Sequence, residues 1–115
     1  MANQFSQRRI VEFADTDMAG IAHFANFFKF MEACEHAFFR SLGLSLHHQV
    51  GSEMVGFARV HAECKYLAPL HYQDEIEVRL VVREKRASSL CYEFTFARPE
   101  KDETETLAAR GAMTV

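Results

Sequence analysis

The hydrophobic pattern of this chain changes period once, and that change sharply limits the folds open to it. Over residues 24–42 the apolar positions recur at helical spacing. Projected at 100° per residue, Phe24, Phe27, Phe28, Met31, Cys34, Phe38, Phe39 and Leu42 form one broad face. Lys29, Glu32, His36 and Arg40 lie opposite or flanking it, and Gly43 stands where helices commonly stop. After a polar loop around residues 47–53 the period becomes two. Ala58, Val60, Ala62, Cys64 and Tyr66 alternate with Arg59, His61, Glu63 and Lys65, as expected of a half-buried strand. Ile76, Val78, Leu80 and Val82 mark a further strand, Leu90, Tyr92, Phe94 and Phe96 another, and residues 107–115 the last. Residues 5–13 read as a strand ahead of the helix. This order predicts an α+β fold, an antiparallel sheet of about five strands with one long helix on one face.

The 115 residues suit a single domain with one core. Hydrophobic content of 49% with 25% charged residues is that of a soluble globular chain, and a net charge of −3 gives nucleic acid no attraction. Cys34, Cys64 and Cys91 are odd in number and fall inside regular elements, which favours a reducing cytoplasm over a disulfide framework. The opening MANQFSQRR lacks the apolar run of a signal peptide, and no stretch is long enough to span a membrane. Eleven phenylalanines exceed what one small monomer needs, so a subunit interface is expected to take the surplus. Neither the His47-His48 pair nor Asp15 with Asp17 has further ligands at metal-binding spacing, so no metal or cofactor is expected.

The chemistry concentrates in FADTDMAGIAHFAN, residues 13–26. A strand-like stretch ends in Asp15-Thr16-Asp17, a turn passes through Ala19-Gly20, and the helical pattern begins near His23. That order sets Asp17 close to a helix start, where free backbone N–H groups attract negative charge. No Ser, Thr or Asp stands at positions 21–23 to occupy those donors as a cap. A fixed carboxylate beside such donors suits acyl transfer, in which one group attacks a carbonyl and another stabilises the oxyanion. Asp15 reads as a structural turn residue. Glu35 is the oddest residue of the helix, because it sits within the apolar face, where an unpaired charge is costly. Capping the floor of a pocket, pairing with a buried base or facing a subunit interface would resolve that.

FADTDMAGIAHFANFFKFMEACEHAFFRSLG resembles the 4-hydroxybenzoyl-CoA thioesterase type of hotdog-fold acyl-CoA hydrolase, and KYLAPLHYQDEIEV resembles the passage between that family's second and third strands. The likeness runs through nearly all of the chain. It implies a homodimer, with further assembly into a homotetramer left open, that hydrolyses an acyl-CoA thioester to the free acid and coenzyme A. Asp17, the motif's second Asp, would be the nucleophile or general base, and the Phe24 backbone N–H the oxyanion donor. Gly20 would allow close approach of the chain, and His23 and Asn26 would line the substrate site. Many relatives carry His where this chain has Phe24, so a His-assisted route is not implied. Glu35 is the reserve catalyst, since a related branch uses a helix Glu. The turn Lys85-Arg86-Ala87-Ser88-Ser89 matches one that meets the coenzyme A phosphates, with Lys85 and Arg86 supplying charge and Ser88 and Ser89 donors. The pairing of residues 59–65 with their two-fold mate would set Arg59 opposite the partner subunit's Glu63. Val115 ends inside a strand pattern while relatives run on, so the natural C-terminus is expected to lie beyond it. Two other classes fit the fold: an acyl hydratase or dehydratase using Asp17 with His23, and a non-catalytic acyl-CoA-binding module.

Overall fold

A computed structural model describes residues 3–44, 47–50, 53–56 and 58–115, with backbone alone for 47–50 and 53–56. Strand β1 (Gln4–Ile10) leads through a short 3₁₀ turn (Phe13–Asp15) to the helix α1 (Asn26–Ser41). There follow β2 (His47–Val50), β3 (Glu53–Gly56), β4 (His61–Tyr66), β5 (Glu75–Lys85), β6 (Leu90–Pro99) and β7 (Glu105–Thr114). Five of these strands form an antiparallel sheet in the order β1-β5-β6-β7-β4, so β1 and β4 are its open edges. The expected α+β arrangement is present. Within the stretch around residues 47–53 read from sequence as a polar loop, residues 47–50 instead form strand β2, paired antiparallel with β3.

Register across the sheet sets the geography of the molecule. Gln7, Val78, Phe96, Ala109 and Tyr66 stand in one row, near the start of α1. Glu84, Cys91, Thr114 and His61 stand in a row at the other end. Ile76, Val78, Leu80, Tyr92, Phe94 and Phe96 point to the helix and are buried, as their period of two predicts. The opposite face is polar and carries ion pairs, among them Arg79 with Glu77 and Glu105 and Arg83 with Glu93.

Phe27, Phe30, Met31, Cys34, Phe38 and Phe39 bury α1 against this sheet. Phe30, absent from the projected apolar face, is fully buried and takes the Arg9 guanidinium over its ring at 4.7 Å. Phe24 precedes the helix and is 62% exposed, so it does not belong to the core face. Close approach of helix to sheet depends on Gly111 of β7: a Cβ there would run into Met31 Sδ and stand 3.2 Å from the Glu63 carbonyl. Burial, with the charge of Glu35 beside it, pushes the Cys34 thiol up to about 12, which makes it an inert core residue.

Glu35 is fully buried, and its compensation comes from Arg59. One guanidinium nitrogen donates to both carboxylate oxygens at 3.1 and 3.3 Å, and the other reaches Glu32 at 3.3 Å. The buried Tyr92 hydroxyl lies near this carboxylate, short of an aligned hydrogen bond. Burial foremost, and then the Glu35 charge, push its pKa far up. This arrangement corrects one expectation about β4. The strand begins at His61, and Arg59 turns inward to α1 of its own chain, so it is not free to meet the partner subunit's Glu63. Both faces of β4 are largely exposed, as suits an uncovered edge.

Candidate active site

The loop ahead of α1 is shaped by its backbone. The Asp15 carboxylate accepts the Glu12 N–H at 2.9 Å and so closes the 3₁₀ turn, while the Asp15 carbonyl accepts the His23 N–H and the Asn26 side-chain amide, each at 2.8 Å. A tight turn then runs from Asp17 to Gly20, whose N–H donates to the Asp17 carbonyl at 3.0 Å. Gly20 has φ of +80°, a left-handed conformation that other residues rarely adopt. A Cβ added there would meet nothing within 4 Å, so Gly20 serves this bend and not a close approach of the chain.

Asp17 is thereby displayed at the surface. Its Oδ1 accepts the Ala19 N–H at 2.9 Å, and among the described residues Oδ2 has no partner. One oxygen fixes the carboxylate while the other stays available, which suits a nucleophile or base. The head of α1 lies next to it. Ala25 occupies the N-cap position without any side-chain cap, and among the described residues the Phe24 N–H has no acceptor. Asp17 and Phe24 open onto one cleft of about 500 Å³, walled mainly by the apolar side chains of Ile21, Ala22, Phe27, Tyr66, Leu67 and Leu70. A carboxylate and an unused backbone donor at the mouth of an apolar cleft can act together on an acyl carbonyl.

The remaining candidates fall elsewhere. His23 stacks on Phe24 with ring centroids 4.5 Å apart and accepts the Ala25 N–H through Nδ1 at 3.2 Å; it braces the loop and does not line the cleft. Asn26 ties the helix start to Asp15 and is likewise outside the cleft wall. Glu35 is sealed in the Arg59 ion pair and does not reach this cleft. Residues 85–89 form the β5–β6 hairpin tip, closed by the Arg86 N–H to the Ser89 carbonyl at 2.9 Å. That tip is seven residues up β5 from the Val78 row, roughly 23 Å at the rise of a strand. Arg86 is held there by Glu84 through two hydrogen bonds of 2.8 and 2.9 Å, while Lys85 and Ser88 are exposed. Among the described residues no group of three or more His, Cys, Asp or Glu is placed to hold a metal; the His47 and His48 side chains lie outside them. Sequence reading missed the cleft wall from Tyr66 to Leu70, whose residues carry no chemical signature until the chain folds.

The geometry agrees with what related proteins are. In the solved structures, a D17N mutant of 4-hydroxybenzoyl-CoA thioesterase complexed with 4-hydroxybenzoyl-CoA superimposes with a TM-score of 0.87, at 20% identity, over 98% of this chain and 82% of that one. A 1,4-dihydroxy-2-naphthoyl-CoA thioesterase from Synechocystis gives a TM-score of 0.81 at 25% identity, over 96% and 79%. These neighbours have the hotdog fold, and so does this chain. In sequence, a 1,4-dihydroxy-2-naphthoyl-CoA hydrolase of Prochlorococcus marinus is 32% identical over 114 residues, 89% of this chain and 70% of its own length. An Aquifex aeolicus protein with a provisional esterase name is 39% identical over 82 residues, 70% of this chain, and the match spans 62% of that relative's length. The family described as thioesterase-like superfamily matches residues 11–115, nearly the whole chain, and the chain belongs to it.

Proposed function

We propose that this chain is an acyl-CoA thioesterase in which Asp17 attacks the thioester carbonyl, or activates a water to do so, while the Phe24 N–H holds the developing oxyanion. The observation that carries this reading is the meeting of Asp17 and the uncapped head of α1 on one apolar cleft. In the nucleophilic route, Asp17 forms an acyl anhydride and releases the coenzyme A thiolate; water then cleaves the anhydride and restores the carboxylate. In the general-base route, Asp17 takes the proton of the attacking water. Both end in free acid and coenzyme A, without metal or cofactor. Two relatives named above are coenzyme A thioester hydrolases, and a solved neighbour holds its substrate as an aspartate-to-asparagine mutant, which supports the carboxylate role. The turn of His23 toward Ala25 weighs against a lyase, which would need an Asp17–His23 acid/base pair. A thiol-release screen over aromatic and aliphatic acyl-CoAs tests the reading, and free coenzyme A is the expected product. Hydration of an enoyl-CoA without thiol release would favour the lyase, and binding without release the non-catalytic module.

The working unit is a homodimer paired through β4, in a compartment such as the cytoplasm where the three free cysteines stay reduced. The support is an edge strand with unpaired backbone groups, ending in Tyr66 at 42% exposure and flanked by Val60 and Leu67 at 72% and 47%. Antiparallel pairing would reverse the partner's sheet and bring its hairpin tip to the cleft end of this subunit, so a basic turn too distant within one chain would serve its neighbour's substrate. Light scattering should give twice the chain mass, with a still larger species if dimers pair into tetramers. A fully active monomer would refute it.

Arg86→Ala should then raise KM for coenzyme A esters several-fold with little change in kcat, because phosphate contacts far from the carbonyl are alike in ground and transition states. A truncated pantetheine ester should show no such rise. Equal losses on both substrates would count against phosphate binding at this turn.

A further inference from the structure

Residue 24 carries the unused donor at the head of α1, so the orientation of its peptide decides how well an oxyanion is met. Within the loop, the His23 carbonyl of that same peptide accepts the Asn26 N–H at 2.9 Å, the Asp15 carbonyl accepts the His23 N–H, and the His23 ring accepts the Ala25 N–H, while the Phe24 carbonyl takes the Phe27 N–H only at a longer 3.3 Å. The Phe24 side chain is 62% exposed and contributes little restraint by packing. The Phe24 carbonyl, however, is gripped from across the fold. Tyr66, the last residue of β4, donates its hydroxyl hydrogen to that carbonyl at 2.9 Å. The Tyr66 ring meets Phe24 edge-on at 6.3 Å and Phe27 at 5.1 Å, and it lines the cleft onto which Asp17 opens.

The geometry points to Tyr66 as a positioning residue for the oxyanion donor: its hydroxyl pins the Phe24 carbonyl and, through the two backbone dihedrals of that residue, the direction of the Phe24 N–H. Peptide units are planar, so carbonyl and N–H of one residue are joined by only two soft rotations. Fixing one end narrows the swing of the other. A donor aimed before the substrate arrives needs no reorganisation as charge develops, and that preorganisation is where such a donor's contribution lies. A misplacement of about 1 Å at a reacting centre can cost roughly 100-fold in rate. A phenol has one hydrogen to give, and it goes to Phe24. Burial, with the Cys64 thiol nearby, raises the Tyr66 pKa, so the hydroxyl remains a protonated donor at neutral pH. Tyr66 touches no reacting atom in this role; it acts through the backbone of Phe24.

This inference rests on the thioesterase reading, and the test separates the two. Tyr66→Phe keeps both ring contacts and removes only the hydroxyl. The expected result is a fall in kcat of roughly 5- to 100-fold, between the loss of one ordinary hydrogen bond and the loss of a whole oxyanion donor. KM, the Kd of a non-hydrolysable thioether analogue of the acyl-CoA, and Tm should stay near those of the parent, because the ground state has no oxyanion to orient. A kcat within twofold of the parent overturns the inference. So does a change confined to KM, or a rate loss that tracks a lowered Tm. Asp17→Asn belongs in the same assay. If it is inactive while Tyr66→Phe runs at full rate, only the positioning role falls; if it stays active, the reading beneath falls too, and the inference with it.

Discussion

Replacing Asp17 with asparagine should lower kcat for thioester hydrolysis by roughly 1000-fold or more, since the amide is neither a nucleophile nor a base of comparable strength. The fold should tolerate the change. Asparagine keeps an oxygen for the Ala19 N–H, the contact that shapes this turn, and the side chain is exposed, so no buried charge is disturbed. Binding of a thioether analogue should therefore persist, and Tm should stay close to that of the parent. Thiol release with saturating acyl-CoA, beside a thermal melt, checks both halves. Near-normal turnover in a well-folded variant would remove Asp17 from the mechanism.

Arg59→Ala should be the more damaging change for stability. Glu35 is fully buried on α1, and Arg59 is its charge partner, supplying both hydrogen bonds to the carboxylate. Removing one partner of a buried pair typically costs about 3–5 kcal/mol, because an uncompensated charge is left behind. The Arg59 side chain is 31% exposed, so water can partly take its place, and a cost of about 3 kcal/mol at the low end of that range is expected. For a domain of this size that means a fall in Tm on the order of 10 °C. A double variant, Glu35→Gln with Arg59→Met, should recover much of the loss, since it removes both charges together and keeps a side chain of similar length over Met113. Denaturant titration of the three proteins measures the difference. An Arg59→Ala variant as stable as its parent would show that Glu35 is satisfied in some other way.

The helix illustrates how much the chain announces before it folds. Its apolar residues recur every three or four positions, and burying one stripe needs only local geometry plus some surface to cover it. The same holds for the period of two in β5 and β6, where Ile76, Val78, Leu80, Tyr92, Phe94 and Phe96 face the helix as their alternation requires. Phe24 misled because it continues the helical period two residues ahead of Asn26, where α1 begins. The β2–β3 strand pair escaped notice because four-residue strands of mixed polarity carry almost no alternation.

Asp17 and the helix head were legible for a local reason. They lie within a dozen residues of one another, and a strand, a tight turn at Gly20 and a helix leave few ways to arrange them. Sequence alone thus determined the helix, the sides that α1, β5 and β6 bury, and the neighbourhood of carboxylate and backbone donor. Tertiary structure alone decided which distant groups complete them. Arg59 meets Glu35 across 24 positions and Tyr66 meets Phe24 across 42, and the basic hairpin tip comes to rest at the far end of the sheet from the cleft. Periodicity reports which face of an element is apolar. It is blind to register, and the register of β4 and β5 within the sheet sets which side chains stand together.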